Sequence, residues 1–433
     1  MNDSNVDRPT LTGSLRRWIQ MAGWPGMIGA LMSLATLVGF SLLYRELPVT
    51  EAGMLAIVIS LSDILGLVAL VGLGTVITRQ YAAAGPGVFD WRGDLRWTAG
   101  YLTPMIALAS WAVSRLYDFP APLAACLFVL TLLGALLAVT YFMLNSQGHY
   151  TWSSFLVRAP NSALLIPGFA SLWLAAEVRL GAVLAAYVIA NLAALLTGLA
   201  ILRRVLPAGS KRITVRHRLD GAVFMATAAT DLLPDQGLIA VAGKILPVSQ
   251  VAAFAAMAIL IRPFRLIRSI LAMILGPDLL RFRRVSYRKL IAGFWVLAIG
   301  CGVAAAALIP LLASRFYGDR YQEAIGWIPY MALAGVLLIG ALPARADLAV
   351  RSSIRTMGWF ALAYFCSMVV SLALGIAGML SWGAAFLAIT VVLLQLTECG
   401  VSYSFWLVFR RREEAKAVLP TGVTGERRDL AEG

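Results

Sequence analysis

Apolar residues recur in long runs along nearly the whole chain, separated by short polar segments rich in arginine. A run of about 20 apolar residues is long enough to cross the hydrocarbon core of a bilayer as a helix. Twelve such runs are present: Ala22–Leu43, Ala52–Ile77, Trp97–Leu116, Pro122–Leu144, Phe155–Ala176, Leu180–Leu202, Gly221–Gly243, Ser249–Leu275, Leu290–Ala313, Ala324–Ala344, Met357–Ala377 and Trp382–Phe409. Strands are excluded as the spanning element, because an open sheet edge in lipid leaves backbone groups unpaired. The pattern predicts an all-α, polytopic membrane protein. Its first six runs form an N-terminal bundle over 15–202 and its last six a C-terminal bundle over 221–409. The basic segment 203–220 joins them, and 1–14 and 410–433 read as disordered ends, being short, polar and rich in Gly, Pro or charge. Pro104, Pro160, Pro167, Pro234, Pro263, Pro329 and Pro343 are expected to kink helices.

Charges that interrupt the runs change the picture most. Asp63, Asp231, Asp235 and Glu398 lie inside spans, as do Arg262, Arg265 and Arg268. An ionisable group at that depth costs roughly 2.5–3.5 kcal/mol on insertion scales, so each is expected to be paired or to face a watery cavity. Asp231 and Asp235 are spaced i,i+4 on one helix face, and the three arginines fan through about 120° of theirs, given about 100° per residue. Two readings stand side by side. The arginines form an anion site with the acids as proton carriers, or the acids are fixed counter-ions and Arg268 snorkels towards the nearer surface. Glu398 is a second proton-site candidate. Arg79 and Arg158, near the ends of their spans, are candidates to receive an anionic headgroup.

Composition agrees with a membrane protein: 60% of the 433 residues are hydrophobic, 13% are charged, and mean hydropathy is +0.81. The net charge of +14 is carried by many short segments. With the N-terminus inside, 27 of the 36 Lys and Arg residues fall in inner segments and 6 in outer ones, which puts both termini in the cytoplasm. That dispersal argues against a nucleic-acid partner. Tryptophans near the run ends, Trp91, Trp295 and Trp406 among them, read as an interfacial belt. The four cysteines lie far apart in spans and show no disulfide or metal spacing, and no cofactor is implied. No lysine is followed by Ser or Thr, which excludes a phosphate-binding loop of the Gly-Lys-Ser/Thr kind, and no segment between spans is long enough for a catalytic domain. The chain does not read as an enzyme.

Two halves are visible. Leu47-Pro-Val-Thr-Glu-Ala-Gly-Met-Leu-Ala before the second span resembles Leu246-Pro-Val-Ser-Gln-Val-Ala-Ala-Phe-Ala before the eighth, 199 residues later. Six crossings separate them, so the repeat is parallel, with its axis along the membrane normal. The same offset carries Asp63 onto Arg262, opposite charges at matching depth that would flank one central cavity.

Tyr44-Arg-Glu-Leu-Pro-Val-Thr-Glu-Ala-Gly, followed by a span and then Gly72-Leu-Gly-Thr-Val-Ile-Thr-Arg79, resembles the start of bacterial polysaccharide flippases of the multidrug/oligosaccharidyl-lipid/polysaccharide (MOP) exporter superfamily. Asn145-Ser-Gln-Gly-His-Tyr and Leu246-Pro-Val-Ser-Gln sit where that family has similar turns. One departure is Val71, where an acid is expected just before Gly-Leu-Gly; the nearest acid is Asp63. The resemblance implies alternating access by two six-helix bundles in the bacterial inner membrane. It implies a lipid-linked, undecaprenyl-diphosphate oligosaccharide as substrate, with H+ or Na+ as coupling ion. A polysaccharide polymerase and glycosyltransferases would be partners in cell-surface polysaccharide synthesis. Arginine suits a diphosphate because its planar fork of donors stays charged. A cation-coupled multidrug antiporter, an organic-anion secondary transporter and a membrane-bound transferase or polymerase are the alternatives.

Overall fold

The computed structural model describes residues 11–70, 72–84, 87–174, 179–207, 209–213, 232–281, 287–352 and 354–418. Asp231 lies outside the described residues, and so does the side chain of Arg79. The first bundle contains α1 (Leu11–Glu46), α2 (Val49–Leu70), α3 (Leu73–Ala84), α4 (Trp91–Leu116), α5 (Ala121–Ser146), α6 (Tyr150–Ala163), α7 (Leu165–Leu174) and α8 (Leu180–Val205). The second contains a π-helical turn at Leu233–Gly237, then α9 (Leu238–Ile245), α10 (Val248–Arg281), α11 (Tyr287–Tyr317), α12 (Ile328–Gly340), α13 (Leu342–Arg351), α14 (Ile354–Trp382) and α15 (Ala385–Val418).

Among the described residues nine helical segments are long and apolar enough to cross a membrane. Two more crossings are α4, which carries charges at both ends, and the α6–α7 pair, broken at Leu164. The remaining one is the seventh predicted span, described from Leu232 onward. The architecture is therefore twelve crossings in two six-helix bundles related by a parallel repeat. An even number of crossings brings both chain ends to one side of the molecule. Helix extends further than hydropathy implied: α1 begins at Leu11 and α15 runs to Val418, inside segments read as disordered.

The repeat is legible in the backbone. α1 ends and α2 begins through Leu47–Pro48, and α9 ends and α10 begins through Leu246–Pro247. Leu47 N–H donates to Leu43 at 2.9 Å, and its counterpart Leu246 donates to Ala242 at 2.7 Å. Ala52 N–H donates to the carbonyl of Pro48, and Val251 N–H to that of Pro247, again 199 positions on. Each proline supplies a carbonyl and no N–H, which suits the first turn of the helix it opens. α2 packs directly on α10, and a Cβ at Gly53 would clash with the backbone carbonyl of Val248. The side-chain-free residue lets the two bundles approach.

A buried apolar core containing Leu47, Leu55, Val251 and Phe254 spans both bundles. By contrast α11 and α14 show large apolar side chains such as Val303 and Leu374 on their surface, as lipid-facing helices do. Not every proline kinks a helix. Pro329 and Pro343 stand in the first turns of α12 and α13, where the missing N–H has no partner to lose. Gly72, at φ 69°, separates α2 from α3 within what hydropathy reads as one span.

Segment 203–220 is more than a basic connection. Leu206 accepts a hydrogen bond from Trp91 Nε1 at 3.1 Å, Lys211 pairs with Val88 and Asp90 through the backbone, and Ile213 N–H donates to Asp94 at 3.1 Å. Its described part is thereby docked on the start of α4.

Candidate functional site

A cavity of about 540 Å³ lies between the bundles, lined by α1, α2 and α6 on one side and by the π turn and α10 on the other. Asp63, Arg158, Gln236, Arg262 and Arg265 all line it. The π turn sets two of the contacts. Pro234 removes a backbone donor and Leu233–Gly237 widens the helix, which aims consecutive side chains in different directions. Gln236 Nε2 donates to Asp63 at 3.1 Å, across the bundle boundary. Asp235 instead forms an ion pair with Arg265 of its own bundle. Arg262 lies over the Phe40 ring, 4.9 Å from its centroid, and its charge attracts that of Asp63 across the cavity. Arg158 donates to Ser154 on the preceding turn at 2.9 Å, and Asn161, one turn later, accepts from Tyr187 at 2.9 Å.

Arg268 and Glu398, grouped above with these residues, stand elsewhere. Glu398 is 1% exposed and accepts from Arg268 at 2.6 Å and from Arg345 at 2.7 Å, inside the second bundle. Arg268 therefore does not snorkel: it is held by a buried carboxylate from α15. Glu398 in turn is a counter-ion to two guanidiniums, and neither residue lines the cavity. A second knot lies nearby. Asp347, fully buried, accepts from Tyr287 at 3.0 Å and Trp406 at 2.9 Å and pairs with Arg351 and Arg410.

The tryptophans divide as well. Trp91, Trp295 and Trp406, read as interfacial, donate to Leu206, Tyr403 and Asp347 inside the protein. Trp24, Trp111 and Trp382 are exposed as a belt requires.

Sequence reasoning missed Asn161 and Gln236 because uncharged amides stand out little in an apolar run. It also missed Arg345, which counted only among the inner basic residues, and Asp347, which it did not single out. Their signal was position, since both fall at the edge of the tenth apolar run.

At the end opposite the chain termini the bundles are tied together by a repeated contact. Tyr117, at the end of α4, donates to the carbonyl of Ala240 at 2.6 Å. Tyr317, at the end of α11, donates to Ser41 and to the carbonyl of Ala256, both at 3.3 Å. Ser41 and Ala240 are equivalent under the 199-residue offset, so each bundle sends a tyrosine to the same place on the other. Lys244 donates to Leu116 at 2.6 Å, and Arg320 donates to the carbonyls of Arg45 and Leu47, at the end of α1. Tyr321 adds a bond to Tyr44 at 3.0 Å. Of these, the carbonyls of Tyr44, Arg45 and Leu116 lie in the last turns of α1 and α4, where a helix terminus leaves them without an internal partner.

Two repeated bundles thus enclose a central charged cavity and are tied together at one end. No protein-family model matches the chain, and no curated protein matches its sequence. Solved structures do share the fold. The inward-facing conformation of a multidrug resistance MATE family transporter of the MOP superfamily superposes with a TM-score of 0.63 at 14% identity, covering 93% of this chain and 99% of that one. The lipid II flippase MurJ, in an inward closed conformation, gives 0.59 at 12% identity over 89% and 87%. A point mutant of the Vibrio cholerae MATE transporter VcmN gives 0.58 at 13% over 93% and 98%. The chain shares the fold of these solved structures.

Proposed function

We propose that this protein is a flippase for a lipid-linked oligosaccharide carried on a diphosphate of the undecaprenyl type. It moves that substrate from the cytoplasmic to the outer leaflet of a bacterial inner membrane, for cell-surface polysaccharide synthesis, and is not an enzyme. Both termini are cytoplasmic, so the closed end faces outward. The observation that carries the reading is the convergence of Arg158, Arg262 and Arg265 on one cavity between the bundles. Guanidinium forks meet phosphate oxygens in pairs, and the diphosphate competes with Asp63 and Asp235 for Arg262 and Arg265. The glycan travels through the cavity while the lipid tail stays in the acyl phase. Arg79 and Arg158 receive the headgroup on arrival, and H+ or Na+ exchange at acids of the spans, with Asp63, Asp231, Asp235 and Glu398 as the candidates, couples the cycle. Polysaccharide polymerase and glycosyltransferases are the partners.

The test is flipping of a fluorescent lipid-diphosphate oligosaccharide in proteoliposomes, read by quenching from one side. Arg262→Ala and Arg265→Ala abolish most of the rate, and Lys restores it in part because it lacks the fork. Wild-type rates in the double Ala variant would overturn the reading. A cation-coupled multidrug or organic-anion antiporter is the second reading, favoured by Asp63 in the same cavity. Transport of a cationic dye with no flipping would select the drug antiporter; transport of a small organic anion with no flipping would select the other.

A further inference from the structure

At the terminus-bearing end of the first bundle, the start of α4 and the last turns of α8 enclose a groove of about 700 Å³. Four arginines rim it: Arg92 and Arg96, one turn apart on α4, and Arg203 and Arg204 on α8. All four are exposed, and among the described residues none of them forms an ion pair. The acids on the same helix end are engaged elsewhere. Asp94 is buried, where it accepts from Tyr81 and from Ile213 N–H, and Asp90 caps Gly93 and pairs with Arg212. The rim is thus a concentrated positive field, and among the described residues no carboxylate pairs with it.

Its floor is apolar. Leu95, Leu199 and Ala200 lie between the arginine pairs, and the Trp91 ring under Arg92 closes one end. The apolar surface continues into the depth of the membrane. Leu196 and Leu192 are exposed on α8, at i−4 steps from Ala200, on the face that ends in Arg203 and Arg204. Trp97, exposed next to Arg96, marks the level of the interface. Orientation by positive charge accounts for arginines at this end of the spans, but not for four of them facing one another across a groove with an apolar floor.

We infer that this groove is a binding site for an anionic phospholipid with two phosphodiesters, of the diphosphatidylglycerol class. Each arginine pair holds one phosphate, and an acyl chain lies along the Leu199–Leu196–Leu192 stripe. Two phosphates separated by a short glycerol bridge match two pairs of donors on facing helices better than one phosphate does. Because the docked part of the inter-bundle segment lies against the same end of α4 through Trp91 and Asp94, the bound lipid also braces the point from which the second bundle departs.

The experiment is native mass spectrometry of the detergent-purified full chain titrated with tetraoleoyl cardiolipin, phosphatidylglycerol, phosphatidylcholine and inorganic phosphate. Cardiolipin is expected to bind at least tenfold more tightly than either single-phosphate lipid, with inorganic phosphate failing to displace it at equal phosphate concentration. Arg96→Gln with Arg203→Gln, both exposed, brings cardiolipin to the level of phosphatidylglycerol, whereas Arg315→Gln at the far end of α11 leaves it unchanged. Ala200→Trp fills the groove and lowers binding without altering charge. Equal binding of the two anionic lipids, displacement by phosphate, or unaltered binding in the double variant would overturn the site. A photoactivatable cardiolipin cross-linked to wild type reports independently of any variant. Labelled peptides covering 91–100 and 195–205 support the site, and labelling confined elsewhere refutes it.

Discussion

Asp63 on α2 and Arg262 on α10 occupy equivalent positions of the two bundles, 199 residues apart, and line the same cavity from opposite sides. Gln236 bonds the carboxylate and Phe40 lies beneath the guanidinium, so each charge has a local support as well as its partner across the gap. Removing either charge leaves the other facing the cavity without its opposite charge, which weakens the contact between the bundles. Asp63→Ala and Arg262→Ala are each expected to lower the melting temperature of the purified protein. The double variant loses less than the sum of the two, with a coupling of about 0.5–3 kcal/mol. Strictly additive losses in a double-mutant cycle would mean that the two charges do not interact.

The paired tyrosines at the closed end act as two half-latches. Tyr117→Phe removes the bond to Ala240, and Tyr317→Phe those to Ser41 and Ala256. Each substitution is expected to weaken closure by about 1 kcal/mol, the net worth of a typical hydrogen bond. Spin labels on exposed Thr50 and Glu323, on opposite bundles at this end, report the effect. The double Phe variant gains a long-distance population absent from wild type, and an unchanged distance distribution counts against the latch.

Glu398 holds two arginines, so its loss strands both. Glu398→Ala is expected to destabilise the second bundle by about 3–5 kcal/mol, more than Arg268→Ala, which leaves Arg345 on the carboxylate. The order of the two melting temperatures checks this, and equal values would assign Arg345 no share of the pairing.

Gly53 and Ala252 are equivalent in the repeat, yet only one carries a Cβ. Gly53→Ala meets the Val248 carbonyl, and neither backbone yields without moving a whole helix. The expected cost is about 1–3 kcal/mol from overpacking. Ala252→Gly, which removes a methyl from the same interface, costs about 1 kcal/mol through helix propensity. Thermal unfolding of the two variants separates a close backbone approach from a general need for small residues, since only the first makes Gly53→Ala the worse.

The membrane class, the crossings and the two-bundle repeat could all be read from the residues alone. Each depends on a local quantity: the length of an apolar run, or a turn such as Leu47–Pro48 that recurs as Leu246–Pro247. A bilayer forces every spanning backbone to satisfy its own hydrogen bonds, so hydropathy by itself decides helix and approximate span. The offset that carries Asp63 onto Arg262 is equally local, and it brought two residues of the cavity together correctly.

Partner choice among the buried charges was not legible in that way. Arg262, Arg265 and Arg268 lie on one helix and look alike in sequence, yet they face Asp63, Asp235 and Glu398 respectively. Successive i+3 steps turn a helix face by about 60°, so each arginine meets a different neighbour, and which one depends on the packing of helices far apart in the chain. The same holds for Tyr117 and Tyr317, whose acceptors Ala240 and Ser41 lie on the other bundle, and for the four arginines of the groove, which come together only because α4 and α8 both pack against α5. Apolar length is a property of each segment and survives without its neighbours; the assignment of charge to counter-charge is a property of the packed bundle, and only the tertiary structure decided it.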